Sequence, residues 1–293
     1  MLTKQEFTEK IAAGYWLLDG GTGTNLRAMG MPREACAEEW ILAHPEKLLA
    51  LQKSYVNSGS KILLAPTFQA TPAALERVGL AGQTERVNAA LVALSRAAGP
   101  GCLIAGDMTT MAGVTESWDT ANFDFMVENY RRQIRGLLDG GADFLFAETL
   151  VYPQEAEAIF TAACLEEAGA AVFSFTMQPD GTLFSGADAR EVLRELERMG
   201  AAAVGFNCVA AGADTAALVS RLRRQLRAPL VCKPNAGMPT IDAAGNAVYP
   251  MGSDEFAGIL ADCRAAGATL LGGCCGTDAA YIAAFAARVR GRE

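Results

Sequence analysis

The chain repeats one unit about eight times: a short apolar run, a polar or glycine-bearing turn, then an amphipathic stretch. The apolar runs fall at residues 15–19, 61–65, 102–106, 143–148, 171–176, 202–207, 230–234 and 268–272. They are near-continuously apolar instead of alternating, as strands buried on both faces are. Between them the spacing is helical, as in Leu48, Leu49, Leu51, Tyr55 and Val56, or Phe125, Met126, Tyr130, Ile134, Leu137 and Leu138. Gly59, Gly141, Gly169, Gly200 and Gly267 each stand just before a strand, where a left-handed cap ends a helix. Strand–helix alternation requires right-handed crossovers and a parallel sheet. Eight such units predict an α/β fold, a closed (βα)8 TIM barrel. An open doubly wound sheet is the alternative. Residues 3–13 predict a short helix capping the bottom of the barrel. No linker or composition break interrupts the pattern, so residues 1–293 read as one domain.

Of the 293 residues, 51% are hydrophobic, ample for a large core, and the formal net charge is -8. A nucleic-acid binder needs a basic stripe. The one basic cluster, Arg221-Leu222-Arg223-Arg224, lies on an amphipathic helix and reads as a solvated face. No run is long enough to span a membrane, and the N-terminus lacks the layout of a signal peptide. The expectation is a cytoplasmic protein. Eight cysteines in such a chain point to metal binding or reactive thiols more than to a disulfide framework.

Barrels of this kind carry their chemistry at the C-terminal ends of the strands. Here those ends read Asp19-Gly20-Gly21-Thr22-Gly23-Thr24, Thr67-Phe68, Asp107, Glu148-Thr149, Asn207-Cys208, Asn235-Ala236-Gly237 and Gly273-Cys274-Cys275-Gly276. Cys208, Cys274 and Cys275 form a set that zinc accepts with one position left open. The adjacent pair can share one ion only if the backbone turns sharply, which the flanking glycines allow. The other reading of the trio is buried structural thiols or an adjacent-pair disulfide. Cys36, Cys102, Cys164, Cys232 and Cys263 read as structural. His44, the only histidine, stands at a helix start and reads as a surface or capping residue. Asp19 and Glu148 end apolar runs, so each is partly buried and needs a partner. A substrate ammonium would serve, as would backbone amides or an arginine. The Gly20–Thr24 turn offers free amides to a substrate carboxylate and lacks dinucleotide-site spacing.

These motifs resemble the zinc-dependent homocysteine S-methyltransferases almost end to end. The resemblance rests on residues 18–24, His44-Pro45-Glu46, Thr67-Phe68, Ala105-Gly106-Asp107, Glu148-Thr149, Asn207-Cys208, Pro234-Asn235-Ala236-Gly237 and Gly272-Gly273-Cys274-Cys275-Gly276-Thr277. It implies a barrel that methylates homocysteine to methionine, with Zn2+ on Cys208, Cys274 and Cys275. Asn235 would supply an oxygen to the metal in the substrate-free state. Asp19 and Glu148 would hold the amino group of homocysteine, with Gly20, Gly21, Thr22, Thr67 and Asn207 around it.

Residues 180–186 and Val248-Tyr249-Pro250 look most like the homocysteine module of cobalamin-dependent methionine synthase. That likeness implies a methylated corrinoid or folate system supplied in trans by a separate corrinoid protein. S-methylmethionine or S-adenosylmethionine as direct donor is the alternative, as is a non-catalytic zinc-thiolate subunit of a larger methyltransferase. Pro66, Met108-Thr109-Thr110 and Val209-Ala210 depart from the family pattern at the rim. Those departures bear on the donor and on the shape of the amino-acid pocket, not on the thiols.

Overall fold

A computed structural model describes residues 1–12, 14–112, 120–243, 245 and 247–291. The barrel strands are β1 (Trp16–Leu17), β2 (Ile62–Leu64), β3 (Leu103–Met108), β4 (Phe144–Leu150), β5 (Ala171–Phe175), β6 (Ala203–Ala210), β7 (Leu230–Asn235) and β8 (Leu270–Leu271). All pair in parallel in the order β2-β3-β4-β5-β6-β7-β8-β1. The eight apolar runs thus form the eight strands of a TIM barrel.

The ring closes between β1 and β2 without a regular ladder. Lys61 N donates to Leu17 O at 2.7 Å, and Ser60 Oγ donates to Leu18 O at 3.0 Å. Leu64 N donates to the Asp19 carboxylate at 2.9 Å, so a side chain takes the place of a backbone acceptor at the seam.

One apolar cluster fills the barrel, including Leu18, Ile62, Leu64, Phe144, Phe146, Val172, Val231 and Leu270. A second lies between the sheet and the surrounding helices. The bottom is plugged by helix Lys4–Ile11, whose Phe7 and Ile11 belong to the inner cluster. Thr3 and Glu6 close a capping box at its start.

The strands at the seam are shorter than their apolar runs. Beyond β1 and β8 the backbone turns to bond loops instead of neighbours: Gly273 N donates to Asp19 O at 3.0 Å and Gly21 N to Thr277 O at 3.1 Å. Strands β4 and β6 run longer than expected, each through a register shift near its C-terminal end. Of the five expected glycine caps, Gly59, Gly141, Gly200 and Gly267 have positive φ and Gly169 does not. Gly169 is needed for a different reason: a Cβ there would lie 2.0 Å from Leu2 O. The N-terminal segment crosses at that point, with Ala170 N donating to Leu2 O and Leu2 N to Asp143 O, both at 2.7 Å.

After β7 a two-stranded hairpin, Thr240–Ile241 with Ala247–Val248, stands out from the barrel. The Arg33 guanidinium, from the loop after β1, donates to Gly245 O at 3.1 Å and ties the two sides of the mouth together.

Phe7 is fully buried, with its ring centroid 4.7 Å from that of Phe144. Phe7→Ala is expected to cost about 3–5 kcal/mol through the cavity it leaves. Urea unfolding measures it, and an unchanged midpoint would show that the plug contributes nothing to the barrel.

Candidate active site

Cys208, Cys274 and Cys275 come together at the mouth, their sulfurs all within 4.8 Å of one another. Among the described residues this is the one group of histidine, cysteine and acidic side chains with metal-binding spacing. Tetrahedral coordination by sulfur at about 2.3 Å would set sulfurs about 3.8 Å apart. The trio therefore fits one ion with a position to spare.

Each cysteine is held by named contacts. Cys274 N donates to Pro234 O at 2.8 Å, and Thr277 Oγ1 donates to Cys274 O at 2.7 Å. Cys275 N donates to Asn235 Oδ1 at 3.0 Å, which fixes the turn between the neighbours. Gly21 lets the β1 loop approach this turn, since a Cβ there would meet Cys274 O at 2.6 Å. Tyr249 lies against Gly276, whose φ is +78°, and its hydroxyl hydrogen-bonds the Cys275 sulfur.

Cys208 sits in the β6 register shift with φ 57°, and Thr149 in the β4 shift with φ 58°. A β-branched residue in the left-handed region is strained and persists only where its surroundings enforce it. Asn207 does so. Its Oδ1 accepts from Thr149 N at 2.7 Å and Ser174 Oγ at 2.6 Å. Its Nδ2 donates to Thr149 Oγ1 at 2.7 Å and approaches the Cys274 sulfur at 3.9 Å.

The trio shares protons. Hydrogen bonds from Cys208 and Cys274 push the Cys275 thiol down to about 3. The same hydrogen bonds, to Cys274 first, push Cys208 well up.

Beside the thiols stands a buried ion pair, Lys233 Nζ to Glu148 Oε2 at 2.9 Å. Burial alone would drive Lys233 toward neutrality; Glu148, then Cys274, Asp19 and Asp107, outweigh it and push its pKa up. Burial pushes Glu148 up as well, with Lys233 opposing. The 2.9 Å contact to a charged ammonium marks the ionised pair as its state at neutral pH. Asp107 is 5% exposed, and one of its oxygens has no partner. Burial, then the charge of Glu148, raises its pKa well above the usual carboxylate range.

Asp107, Glu148, Thr149, Lys233 and the three cysteines line one cavity of about 350 Å³ with the 20–24 loop. The cavity continues outward to the segments around residues 26–41 and 66–77.

Of the other expected site residues, Gly20, Gly21 and Thr22 line the cavity and Asp19, Thr67 and Asn207 lie behind its surface. Asp19, 1% exposed, closes the barrel seam through Leu64 N, and its second oxygen is unpartnered. Thr67 is fully buried; its hydroxyl donates to Asp107 O at 2.7 Å and accepts from Asp107 N at 3.1 Å. Asn207 is fully buried as the brace described above. Residues 22–24 open helix Thr22–Ala28, so their amides belong to a first helical turn. His44 starts helix Pro45–Ser58 and stacks on Trp40 at 4.4 Å, away from the thiols.

Sequence reasoning gave Lys233 no role, although a lone cation ending the run Leu230–Cys232 was its signal. Asp107 was noted at a strand end without a function.

A parallel (βα)8 barrel that presents three cysteine sulfurs and buried carboxylates at its C-terminal mouth carries the donor set of a metal site beside an acidic pocket. The comparison with known proteins narrows the class. The homocysteine S-methyltransferase family model matches residues 16–289, and the chain belongs to that family of methyltransferases. It is 31% identical to homocysteine S-methyltransferase from Escherichia coli over 294 residues, 93% of this chain and 94% of that protein. It is 28% identical to methionine synthase from Mycobacterium tuberculosis, covering 92% of this chain but only 24% of that protein. The solved homocysteine methyltransferase MmuM from Escherichia coli, in its metallated form, superposes with a TM-score of 0.81 at 28% identity, covering 94% of this chain and 96% of that one. Among the described residues no helix is long and apolar enough to cross a membrane.

The raised acids give a pH signature in the metal- and substrate-free protein. Burial pushes the Asp19 carboxyl up to about 7, against 3.8 in its ordinary state. Between those values the folded state holds a proton that the unfolded chain releases, so stability falls as pH rises through the window, by up to a few kcal/mol. Asp19→Asn keeps an oxygen for Leu64 N and is expected to flatten the slope. Urea midpoints from pH 5 to 8 test this; parallel slopes for the two proteins would contradict it.

Proposed function

We propose that the protein transfers a methyl group to the thiol of homocysteine, giving methionine, with zinc held by Cys208, Cys274 and Cys275. The observation that carries this is the meeting of three sulfurs and a buried acidic cluster on one cavity wall. Bound zinc lowers the pKa of an incoming thiol and keeps it a nucleophilic thiolate.

The chain's own residues position the amino acid. Asp19, Asp107 and Glu148 surround Lys233, so within this buried group the carboxyls outnumber the ammonium and an added ammonium would favour their ionised forms. The unpartnered oxygen of Asp107, with Glu148 beside it, receives the substrate ammonium. Asp19 lies behind them and would add negative charge once the substrate ammonium favours its ionised form. Thr67 fixes the backbone of Asp107, and Asn207 fixes Thr149 and the turn into Cys208. Thr22, Gly23 and Thr24 line the cavity in a first helical turn, whose free amides would receive the carboxylate. Asn235, on the Cys275 amide, is the oxygen offered to the metal in the substrate-free state. All eight cysteines are unpaired, which supports a reducing, cytoplasmic setting.

For the donor, the sequence likeness pointed to a methylated corrinoid protein acting in trans. The cavity supports the other reading, a small sulfonium such as S-methylmethionine or S-adenosylmethionine. Homocysteine fills only part of about 350 Å³, and the remainder is lined by residues from the 26–41 and 66–77 segments.

Cys208→Ala, Cys274→Ala and Cys275→Ala are each expected to lose zinc and turnover together, read by elemental analysis and methionine formation. Full activity in a zinc-free variant would refute the role. Asp107→Asn and Glu148→Gln are expected to weaken homocysteine binding about tenfold or more, or about 1.4 kcal/mol or more; unchanged affinity by calorimetry would reject the ammonium assignment. The purified chain is expected to make methionine from homocysteine and a sulfonium donor. Turnover with a methylated corrinoid protein alone would restore the trans donor.

A further inference from the structure

The second strand of the hairpin after β7 leads into Tyr249, which lands on the turn of Cys274 and Cys275. Two anchors fix where it lands. Met251 N donates to Ala236 O at 3.3 Å, and the Tyr281 hydroxyl donates to Met251 O at 2.6 Å. Ala236 N in turn donates to Cys275 O at 3.0 Å, so the tyrosine and the thiol hang from one stretch of backbone. The ring fills the place of a side chain at Gly276: a Cβ there would lie 2.2 Å from Tyr249 Cγ and 2.6 Å from its Cδ2. Gly276 is therefore needed twice, for its φ of +78° and for the room it leaves the ring. From this seat the hydroxyl donates to the Cys275 sulfur.

The neighbouring sulfurs are served unequally. Cys274 is buried, with Asn207 Nδ2 at 3.9 Å and the ammonium of Lys233 nearby. Cys275 is half-buried, and the nearby charge of Glu148 repels negative charge on it. Three thiolates around a divalent ion leave one net negative charge, and a fourth thiolate makes it two. Out of water such charge needs hydrogen-bond donors, and donors to ligating atoms tune the metal they hold. A phenol supplies one without adding a cation that the surrounding carboxyls would capture.

We propose that Tyr249 is a positioning residue of the metal centre, its hydroxyl holding the Cys275 sulfur in place and taking up part of the charge that a fourth thiolate adds. The inference rests on the metal-thiolate reading above and on no particular methyl donor. The hairpin thereby has a task at the site: it delivers one hydroxyl to the ligand that Lys233 and Asn207 do not serve.

The test is Tyr249→Phe in the full chain, which keeps the ring on Gly276 and removes only the hydroxyl. Zinc affinity, read by competition with a chromophoric chelator, is expected to fall about tenfold. With Co2+ in place of zinc, the sulfur-to-cobalt charge-transfer band is expected to move to lower energy, because the Cys275 sulfur has lost a donor. Homocysteine affinity of the zinc-loaded variant, read by calorimetry, is expected to fall by a similar factor. A cobalt band at the wild-type position would overturn the role whatever the affinities do, since a loss through packing alone leaves the charge on sulfur as it was. Homocysteine affinity at the wild-type value would overturn it as well. Either result in a chain that still loads metal leaves the metal-thiolate reading standing. Wild-type chain that takes up neither Zn2+ nor Co2+ would overturn both.

Discussion

A single buried ammonium sets the electrostatics of this barrel. Lys233 and Glu148, 3% and 8% exposed at their side chains, pair across the mouth at 2.9 Å. Desolvating two charges is expensive, and one contact rarely repays it. Here Asp19 and Asp107 add to the field that keeps Lys233 charged. The result is a site with one cation among several potential anions. Crowded together and desolvated, these groups favour their protonated forms, and burial raises Asp19 and Asp107 accordingly. In the function proposed here, a metal ion and a substrate ammonium would replace those protons with fixed charge. Lys233 thus keeps the acids from collapsing to neutrality without satisfying them all.

The second constraint is backbone strain. Cys208 and Thr149 occupy left-handed conformations that cost about 1–3 kcal/mol each. Both lie where β6 and β4 slip register against their neighbours. Bulges re-aim side chains and are frequent beside active sites. In this barrel the slip carries Cys208 into reach of the pair on the β8 loop, and Asn207 bonds both strained segments. Asn207 is therefore a positioning residue, although the sequence placed it among substrate contacts.

The barrel was legible because its pattern is redundant. Apolar runs, helical periodicity and most of the glycine caps repeat unit after unit, so one misread joint such as Gly169 changes nothing. The thiol trio was legible because Cys274 and Cys275 sit amid glycines and Cys208 ends a strand. The division of labour among the acids was not. Whether Asp19 faces the cavity or the seam depends on where β1 stops, and β1 is only two residues long because its continuation bonds the β8 loop. Lys233 is hidden in sequence because its partner lies three strands away.

These features converge on one claim, that three sulfurs hold an ion whose remaining position accepts a thiol. X-ray absorption at the zinc edge, on the full chain with and without homocysteine, measures that directly. The account predicts a light oxygen or nitrogen neighbour in the free protein and its replacement by a fourth sulfur when homocysteine is added. A spectrum unchanged by homocysteine, or a metal bound by fewer than three sulfurs, would contradict it.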